Sequence, residues 1–119
     1  MNKLHGKSYL TDILDSAEQI IKFTCGKTLS EFENDELYPL AVARLFEIIG
    51  EATKRLSDDI RSANPEVPWK AIAGLRDVLI HQYHVANNAR LFEIATIDLP
   101  KIIPILKKIL NQFPPCQAP

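Results

Sequence analysis

The sequence predicts an all-α protein that folds as an antiparallel bundle of four to five helices. Apolar residues recur at steps of three and four over long segments, and no segment alternates apolar and polar residues as a strand would. The chain has 119 residues, enough for one domain with a substantial core. We therefore expect a single domain over residues 1–113 and a flexible tail at 114–119, where the sequence reads PPCQAP.

The first three helices are marked by periodicity and by capping residues. An amphipathic helix is predicted over about residues 8–24, with Gly26 as its C-terminal stop. Thr28 and Ser30 are candidate caps for a short helix in the segment TLSEFENDE. A long helix is then predicted over about residues 36–56. Its expected buried face consists of Val42, Leu45, Phe46, Ile49, Ala52, Thr53 and Leu56.

Prolines divide the second half of the chain. After the loop SANPEVPW, Pro68 fits the first turn of a helix that we expect to reach at least His81. A short helix is predicted in VANNARLFEIATIDLP, with Asn87 or Asn88 as its cap, and a last helix in LPKIIPILKKILNQF. Pro104 is expected to bend that last helix or to delay its start.

Composition limits the classes of function. The formal net charge of -1 argues against a broad nucleic-acid-binding surface, so an RNA partner would have to be bound locally. No apolar run has transmembrane length, and MNKLHGKSYLTDIL becomes amphipathic too early for a signal peptide, so no membrane partner is expected. Cys25 and Cys116 match no metal or redox spacing. These features together predict a cytoplasmic protein with reduced thiols.

The stretch GLRDVLIHQYH concentrates reactive side chains at the end of one predicted helix. On a continuous helix, Asp77, His81 and His84 would share one stripe, and Arg76 and Tyr83 would share the adjacent one. Asp77 would then accept a hydrogen bond from one ring nitrogen of His81 and fix its tautomer. Arg76 would lie about 140° around the helix from His81, so the two would not converge within one straight helix.

Less specific interpretations of these residues are open. A histidine near a helix C-terminus interacts favourably with the helix dipole, and a tyrosine at a helix end commonly packs its ring and hydrates its hydroxyl. Asp77, His81 and His84 could also serve as metal ligands, but they supply at most three donors and Arg76 beside them would disfavour a cation. We therefore predict no metal site and no cofactor.

Three further motifs and clusters have structural interpretations. The small residues of Gly50-Glu51-Ala52 would allow close helix packing, and Trp69 would anchor the start of its helix in the core. Glu51 could pair with Arg55 or approach Arg76 from the neighbouring helix. The lysines of the last helix would form a solvated face, with phosphate contacts as the alternative: Lys101, Lys107 and Lys108.

Over about residues 44–110, the order of motifs resembles the HepT-like branch of the HEPN superfamily. The motifs are G-E-A, P-x-x-P-W and R-x4-H-x-Y. Their residues here are Gly50, Glu51 and Ala52; Pro65, Pro68 and Trp69; and Arg76, His81 and Tyr83. R-x4-H alone is a weak signal, whereas the three motifs in this order and spacing are a specific one.

The resemblance implies a HEPN-like homodimer that acts as the toxin of a type VII-like toxin–antitoxin pair. In that interpretation Arg76 and His81 are catalytic in a metal-independent endoribonuclease, and Asp77 supports His81. The substrate is RNA, with tRNA and mRNA both open. The antitoxin is an MntA-like nucleotidyltransferase that neutralises the toxin by attaching AMP to Tyr83. His84 departs from the family pattern, in which an aromatic or apolar residue is more usual.

The residue types suit that chemistry. A histidine with a pKa near neutrality suits proton transfer, and a guanidinium fork suits charge on phosphoryl oxygens. Because one chain supplies one His81, a dimer would provide both a base and an acid. The alternatives are a non-catalytic HEPN binding module that partners a minimal nucleotidyltransferase, and a purely structural dimerisation domain.

Overall fold

Two long helices, α1 (Lys3–Thr24) and α3 (Tyr38–Arg55), lie against each other at the centre of the fold. The structure is a computed structural model and describes residues 3–75, 80–81 and 85–113. The other helical elements are α2 (Leu29–Asn34), α4 (Asp58–Ala63), α5 (Trp69–Ala73), α6 (Asn88–Glu93), a π-helical segment (Ile94–Asp98) and α7 (Leu99–Asn111). The all-α HEPN-like fold predicted from the sequence is confirmed.

The core follows the predicted periodicity. Apolar side chains of α1 at three- and four-residue steps, including Leu10, Ile13 and Ile20, are almost fully buried. They pack with the buried face of α3, which includes Phe46 and Ile49. Burial of several large apolar side chains, each contributing about 1.5–3 kcal/mol, provides the main stabilisation of the bundle.

Capping residues define the turn between α1 and α3. Gly26 follows α1 with a φ of 75°, which favours glycine, as predicted for a C-terminal stop. Thr28 and Glu31 form a capping box at the start of α2: the Thr28 N–H donates to Glu31 Oε1 at 2.8 Å, and Thr28 Oγ1 accepts from the Glu31 N–H at 3.1 Å. Asp35 Oδ1 accepts the N–H groups of Leu37 and Tyr38, each at 2.8 Å, and so starts α3.

Helix α4 was not predicted from the sequence. Ser57 caps it by accepting the Ile60 N–H at 3.3 Å, and Asp58 and Asp59 lie in its first turn, where carboxylates favour the helix dipole. The helix has six residues and none of them is fully buried. Its apolar periodicity was therefore too short to detect.

Residues Asn88–Asn111 form one continuous helical run. Asn87 caps it by accepting the Arg90 N–H at 3.1 Å, so Asn87 is the cap of the two asparagines considered. The π-helical segment joins α6 to α7, and the Leu99 N–H donates to the Ile94 carbonyl. Pro100 lies in the first turn of α7 and Pro104 lies inside it. The expected delay of the helix start to Pro104 is therefore wrong, since α7 begins at Leu99.

The helix expected to reach at least His81 does not include that residue. Helix α5 ends at Ala73, and Gly74 follows it with non-helical backbone angles. Residues Ile80–His81 form a two-residue strand, β1, instead of a helical turn. The continuous helical stripe predicted through His81 is therefore wrong at that residue. Gly74 has low helix propensity, and β-branched Ile80 and Val85 favour paired extended backbone.

Within the described residues, no helix is long and apolar enough to cross a membrane.

Candidate functional site

The backbone of His81 is held in a short antiparallel strand pair. Strand β1 (Ile80–His81) pairs with β2 (Val85–Ala86), with His81 opposite Val85 and Ile80 opposite Ala86. The other site residues of the prediction lie outside the described residues: Arg76, Asp77, Tyr83 and His84. Of the predicted catalytic pair, the structure thus places the backbone of His81.

The chain that leads into the motif is fixed by the contact between α3 and α5. A Cβ added at Gly50 would lie 3.4 Å from the Ile72 carbonyl oxygen and 3.5 Å from that of Ala73. Trp69 is buried, and its Nε1 donates to the Asn64 carbonyl at 2.9 Å. Both predictions, close packing at Gly50 and a core anchor at Trp69, are confirmed. Together they hold the helix end that directly precedes the motif.

The chain that leaves the motif is fixed by α6. Leu91 is fully buried, and its neighbour Arg90 forms an exposed ion pair with Glu93 one turn later. At the start of α6, Asn88 Oδ1 is buried and finds no hydrogen-bond partner among the described residues. A buried acceptor is therefore available next to strand β2.

An apolar cavity of about 350 Å³ lies between these two anchors. Its walls come from α1, α3, α5, α6, the π-helical segment and α7. Leu75, the residue directly before Arg76 in the sequence, is also part of the lining. Charged side chains also line it: Arg90, Asp98 and Lys101. Sequence reasoning missed Arg90, Asp98 and the cavity itself. The cavity combines elements that are far apart in the chain, so no local pattern marks it.

A second groove, of about 420 Å³, lies beside the exposed face of α3. Arg44 pairs with Glu47 and Arg55 pairs with Glu51, in each case at 3.5 Å. Of the two alternatives for Glu51, the structure shows the pair with Arg55. Both ion pairs are solvent-accessible, and pairs of this kind contribute about 0–1 kcal/mol each.

The lysines of the last helix do not share one environment. Lys107 Nζ lies 3.7 Å from Glu18 Oε2 on α1, whereas Lys101 lines the apolar cavity and Lys108 is exposed. Lys101 is therefore the lysine of this helix that stands at a candidate ligand site.

No metal cluster is found in the part of the chain that the structure describes, since no three His, Cys, Asp or Glu side chains there are grouped to hold an ion. The side chains of Asp77, His81 and His84 lie outside that part.

Comparison with known proteins matches residues 13–109 to the family model described as ribonuclease HepT-like. A protein of Methanocaldococcus jannaschii named putative RNase is 43% identical over 102 residues, covering 86% of this chain and 94% of the relative. Another protein of that organism with the same designation is 40% identical over 113 residues, covering 95% and 93%. A Thermococcus cleftensis protein named "Probable ribonuclease HepT" is 37% identical over 102 residues, covering 86% and 92%. No solved structure matches the chain.

Proposed function

The chain belongs to the ribonuclease HepT-like family, and from that premise we propose that it is a metal-independent endoribonuclease whose catalytic residues are Arg76 and His81. The observation that carries the proposal is the intact R-x4-H-x-Y motif, which lies within the matched residues 13–109. The described structure is compatible with it, because the chain is anchored to the bundle directly before and after the motif.

The proposed reaction uses the 2′-hydroxyl of RNA as the nucleophile. His81 removes the proton of this hydroxyl, and the 2′-oxygen attacks the adjacent phosphorus while the bond to the 5′-oxygen breaks. The leaving 5′-oxygen takes a proton from a second, protonated histidine. The Arg76 guanidinium stabilises the charge on the phosphoryl oxygens. The products are a 2′,3′-cyclic phosphate and a 5′-hydroxyl.

The second histidine comes from a second copy of the chain. Each chain carries one R-x4-H-x-Y motif, so a two-fold dimer that brings two motifs into one cleft supplies both a base and an acid. Asp77 in this scheme accepts a hydrogen bond from His81 and orients its ring. The net charge of -1 fits a substrate held at a local cleft, not along a broad basic surface.

We further propose that the enzyme is a cytoplasmic toxin controlled by an MntA-like nucleotidyltransferase antitoxin. The antitoxin would join the Tyr83 phenolic oxygen to the α-phosphate of ATP and release pyrophosphate. Tyr83 follows His81 by two residues in the sequence. A bulky anionic AMP there would occupy the cleft and repel the phosphates of RNA.

The test of catalysis is cleavage of RNA by purified protein in the presence of EDTA. We expect His81→Ala and Arg76→Ala to fold normally. His81→Ala should lose about 10²–10⁴-fold in rate, the usual contribution of one proton-transfer group. Arg76→Ala should lose about 10²–10³-fold, the usual contribution of one charge-stabilising donor. His5→Ala and Arg44→Ala, which change a histidine and an arginine outside the motif, are the matched controls and should retain activity. Full cleavage by both motif variants would contradict the proposal. Nucleotide transfer to another substrate, seen only in a complex and without cleavage, would favour the binding module.

The proposed control by an antitoxin is tested by the intact mass of the chain after co-expression with an MntA-like nucleotidyltransferase. We expect additions of AMP mass on the wild-type chain and none on Tyr83→Phe. Tyr9→Phe, which changes a tyrosine on α1, should be modified like the wild type. An unmodified chain whose toxicity is nevertheless neutralised would show that the antitoxin acts by binding alone.

A further inference from the structure

The apolar cavity beside the motif has an exposed mouth and a buried interior. The interior is lined by side chains that are at most 7% exposed, including Phe46, Ile49 and Ile72. Pro68, Ala71, Arg90 and Lys101 also line the cavity and are exposed, so they form its mouth. The volume of about 350 Å³ lies at the lower end of the roughly 300–1,000 Å³ typical of small-molecule sites. The cavity is therefore large enough for a flat heterocycle and has access from solvent.

The mouth carries two cations. Arg90 and Lys101 are eleven residues apart on the continuous helical run, so their backbones are roughly 16 Å apart at about 1.5 Å per residue. Lys101 has no carboxylate partner among the described residues. Arg90 pairs with Glu93, but that pair is about half exposed, and such surface pairs contribute at most about 1 kcal/mol. The side chains of Arg90 and Lys101 can therefore contact an incoming anion, since little free energy is lost by breaking existing ion pairs.

The helix that forms one wall is irregular where it lines the cavity. Ile94 and Asp98 are the first and last residues of the π-helical segment, and both line the cavity. Single π-helical turns within α-helices are frequent at functional sites, because the wider turn repositions side chains. Asp98, at the end of the π-helical segment, is the one carboxylate among the described residues that line the cavity.

We propose that this cavity binds one base of the substrate RNA next to the cleaved phosphate, with Arg90 and Lys101 on the two flanking phosphates. The inference rests on the proposed ribonuclease function, since it names how that site holds its substrate. Leu75 lines the cavity and directly precedes Arg76 in the sequence, which is why we place the base next to the nucleotide whose phosphate is cleaved. Phe46 supplies an aromatic ring to the interior, and contacts between bases and aromatic rings tolerate any base.

Asp98 gives the cavity a preference among bases. A carboxylate accepts hydrogen bonds and cannot donate one when ionised, so it favours a base that presents an exocyclic amine. Adenine and cytosine present such an amine, whereas uracil presents a carbonyl oxygen in its place. We therefore expect adenine and cytosine to bind more tightly than uracil.

The experiment is binding of single nucleotides, measured independently of cleavage. AMP, CMP and UMP are added separately to the full-length protein, and backbone amide shifts are followed by nuclear magnetic resonance. We expect AMP and CMP to shift the amides of Ile72, Leu75 and Ile94. Ala71→Leu narrows the mouth and should weaken binding about tenfold, whereas Lys101→Gln should weaken it about fivefold. Asp98→Asn should reduce the preference over UMP, because an amide can both donate and accept.

Matched variants outside the cavity separate this site from general effects. Ala63→Leu changes an exposed alanine at the end of α4, and Lys108→Gln changes an exposed lysine of α7. Both should bind nucleotides like the wild type. Absence of shifts at the cavity amides, or equal binding by Ala71→Leu and Ala63→Leu, would overturn the inference. Cleavage of RNA with no such shifts would overturn this inference alone, whereas binding in a chain that cleaves no RNA would overturn only the proposed function.

Discussion

At the scale of single residues, two carboxylates, those of Glu31 and Asp35, stabilise the turn between α1 and α3. The pKa of Glu31 is lowered from its ordinary value of 4.5, first by the hydrogen bond from the Thr28 backbone N–H and then by the Thr28 side chain. The pKa of Asp35 is lowered from 3.8 by the backbone N–H groups of Tyr38 and Leu37. Because these hydrogen bonds exist only in the folded chain, each group stabilises the fold in its charged form.

Glu31 therefore makes the stability depend on pH. Its folded pKa lies below the unfolded one, so its contribution is complete above about pH 4.5 and is lost as the pH falls through the lowered folded value. We expect Glu31→Ala to melt at a lower temperature than the wild type at pH 7, with the difference shrinking as the pH falls below about 4.5. The difference in melting temperature at each pH is measured by thermal unfolding followed by circular dichroism. Ser30→Ala, which changes an exposed and non-ionisable residue of the same short helix, is the control and should show no such pH dependence. Equal behaviour of the two variants would contradict the assignment.

Gly50 determines how closely α5 approaches α3. Gly50→Ala adds a Cβ at 3.4 Å from a carbonyl oxygen, an ordinary contact distance, and alanine favours a helix over glycine by about 0.5–1 kcal/mol. We expect that variant to be neutral or slightly stabilised. Gly50→Val adds branching where no space is left and should lower the free energy of unfolding by about 1–3 kcal/mol. The free energies of unfolding of the two variants are compared by urea titration. Equal stability of Gly50→Ala and Gly50→Val would show that the contact between α3 and α5 is not tight at Gly50.

At the scale of elements, α4 depends on its cap because it has little buried surface. Its N-terminus is stabilised by Ser57 and by two aspartates in the first turn. We expect Ser57→Ala to lower the free energy of unfolding by about 1 kcal/mol, the usual contribution of a serine cap. Ser62→Ala, an exposed change in the same helix, is the control and should cost nothing. The free energy of unfolding is measured by urea titration. An equal loss in Ser57→Ala and Ser62→Ala would show that Ser57 does not stabilise α4 as a cap.

At the scale of the whole molecule, the proposed dimer cleft makes a quantitative prediction for mixed chains. Wild-type and His81→Ala chains are combined in equal amounts and exchanged at random, at a fixed total concentration. If one cleft needs both histidines, about one quarter of the wild-type rate remains, because about one quarter of dimers carry two histidines. If each chain acts alone, about one half remains. A mixture of wild type with Lys108→Gln, which is expected to be active, should keep the full rate.

Several elements could be predicted from local sequence because their signals are local. Gly26 and Thr28 act within one turn of chain, and the buried face of α3 repeats over enough residues to reveal its period. Helix α4 and the end of α5 were missed because a six-residue helix and a glycine-bounded turn leave too short a pattern. For the site, the motif of Arg76, His81 and Tyr83 is visible in sequence, and its catalytic role stays a prediction.

Local chemistry along the chain was sufficient for the all-α class, the caps and the family, since each depends on residue types at fixed short spacings. The cavity lined by Arg90, Asp98 and Lys101 depends on tertiary structure. Six elements from four separate parts of the chain form its walls, and the space between them follows from how these elements pack, including the close approach of α5 to Gly50. The spacing of residue types along the chain does not reveal this cavity, because the cavity depends on how separate helices pack against one another.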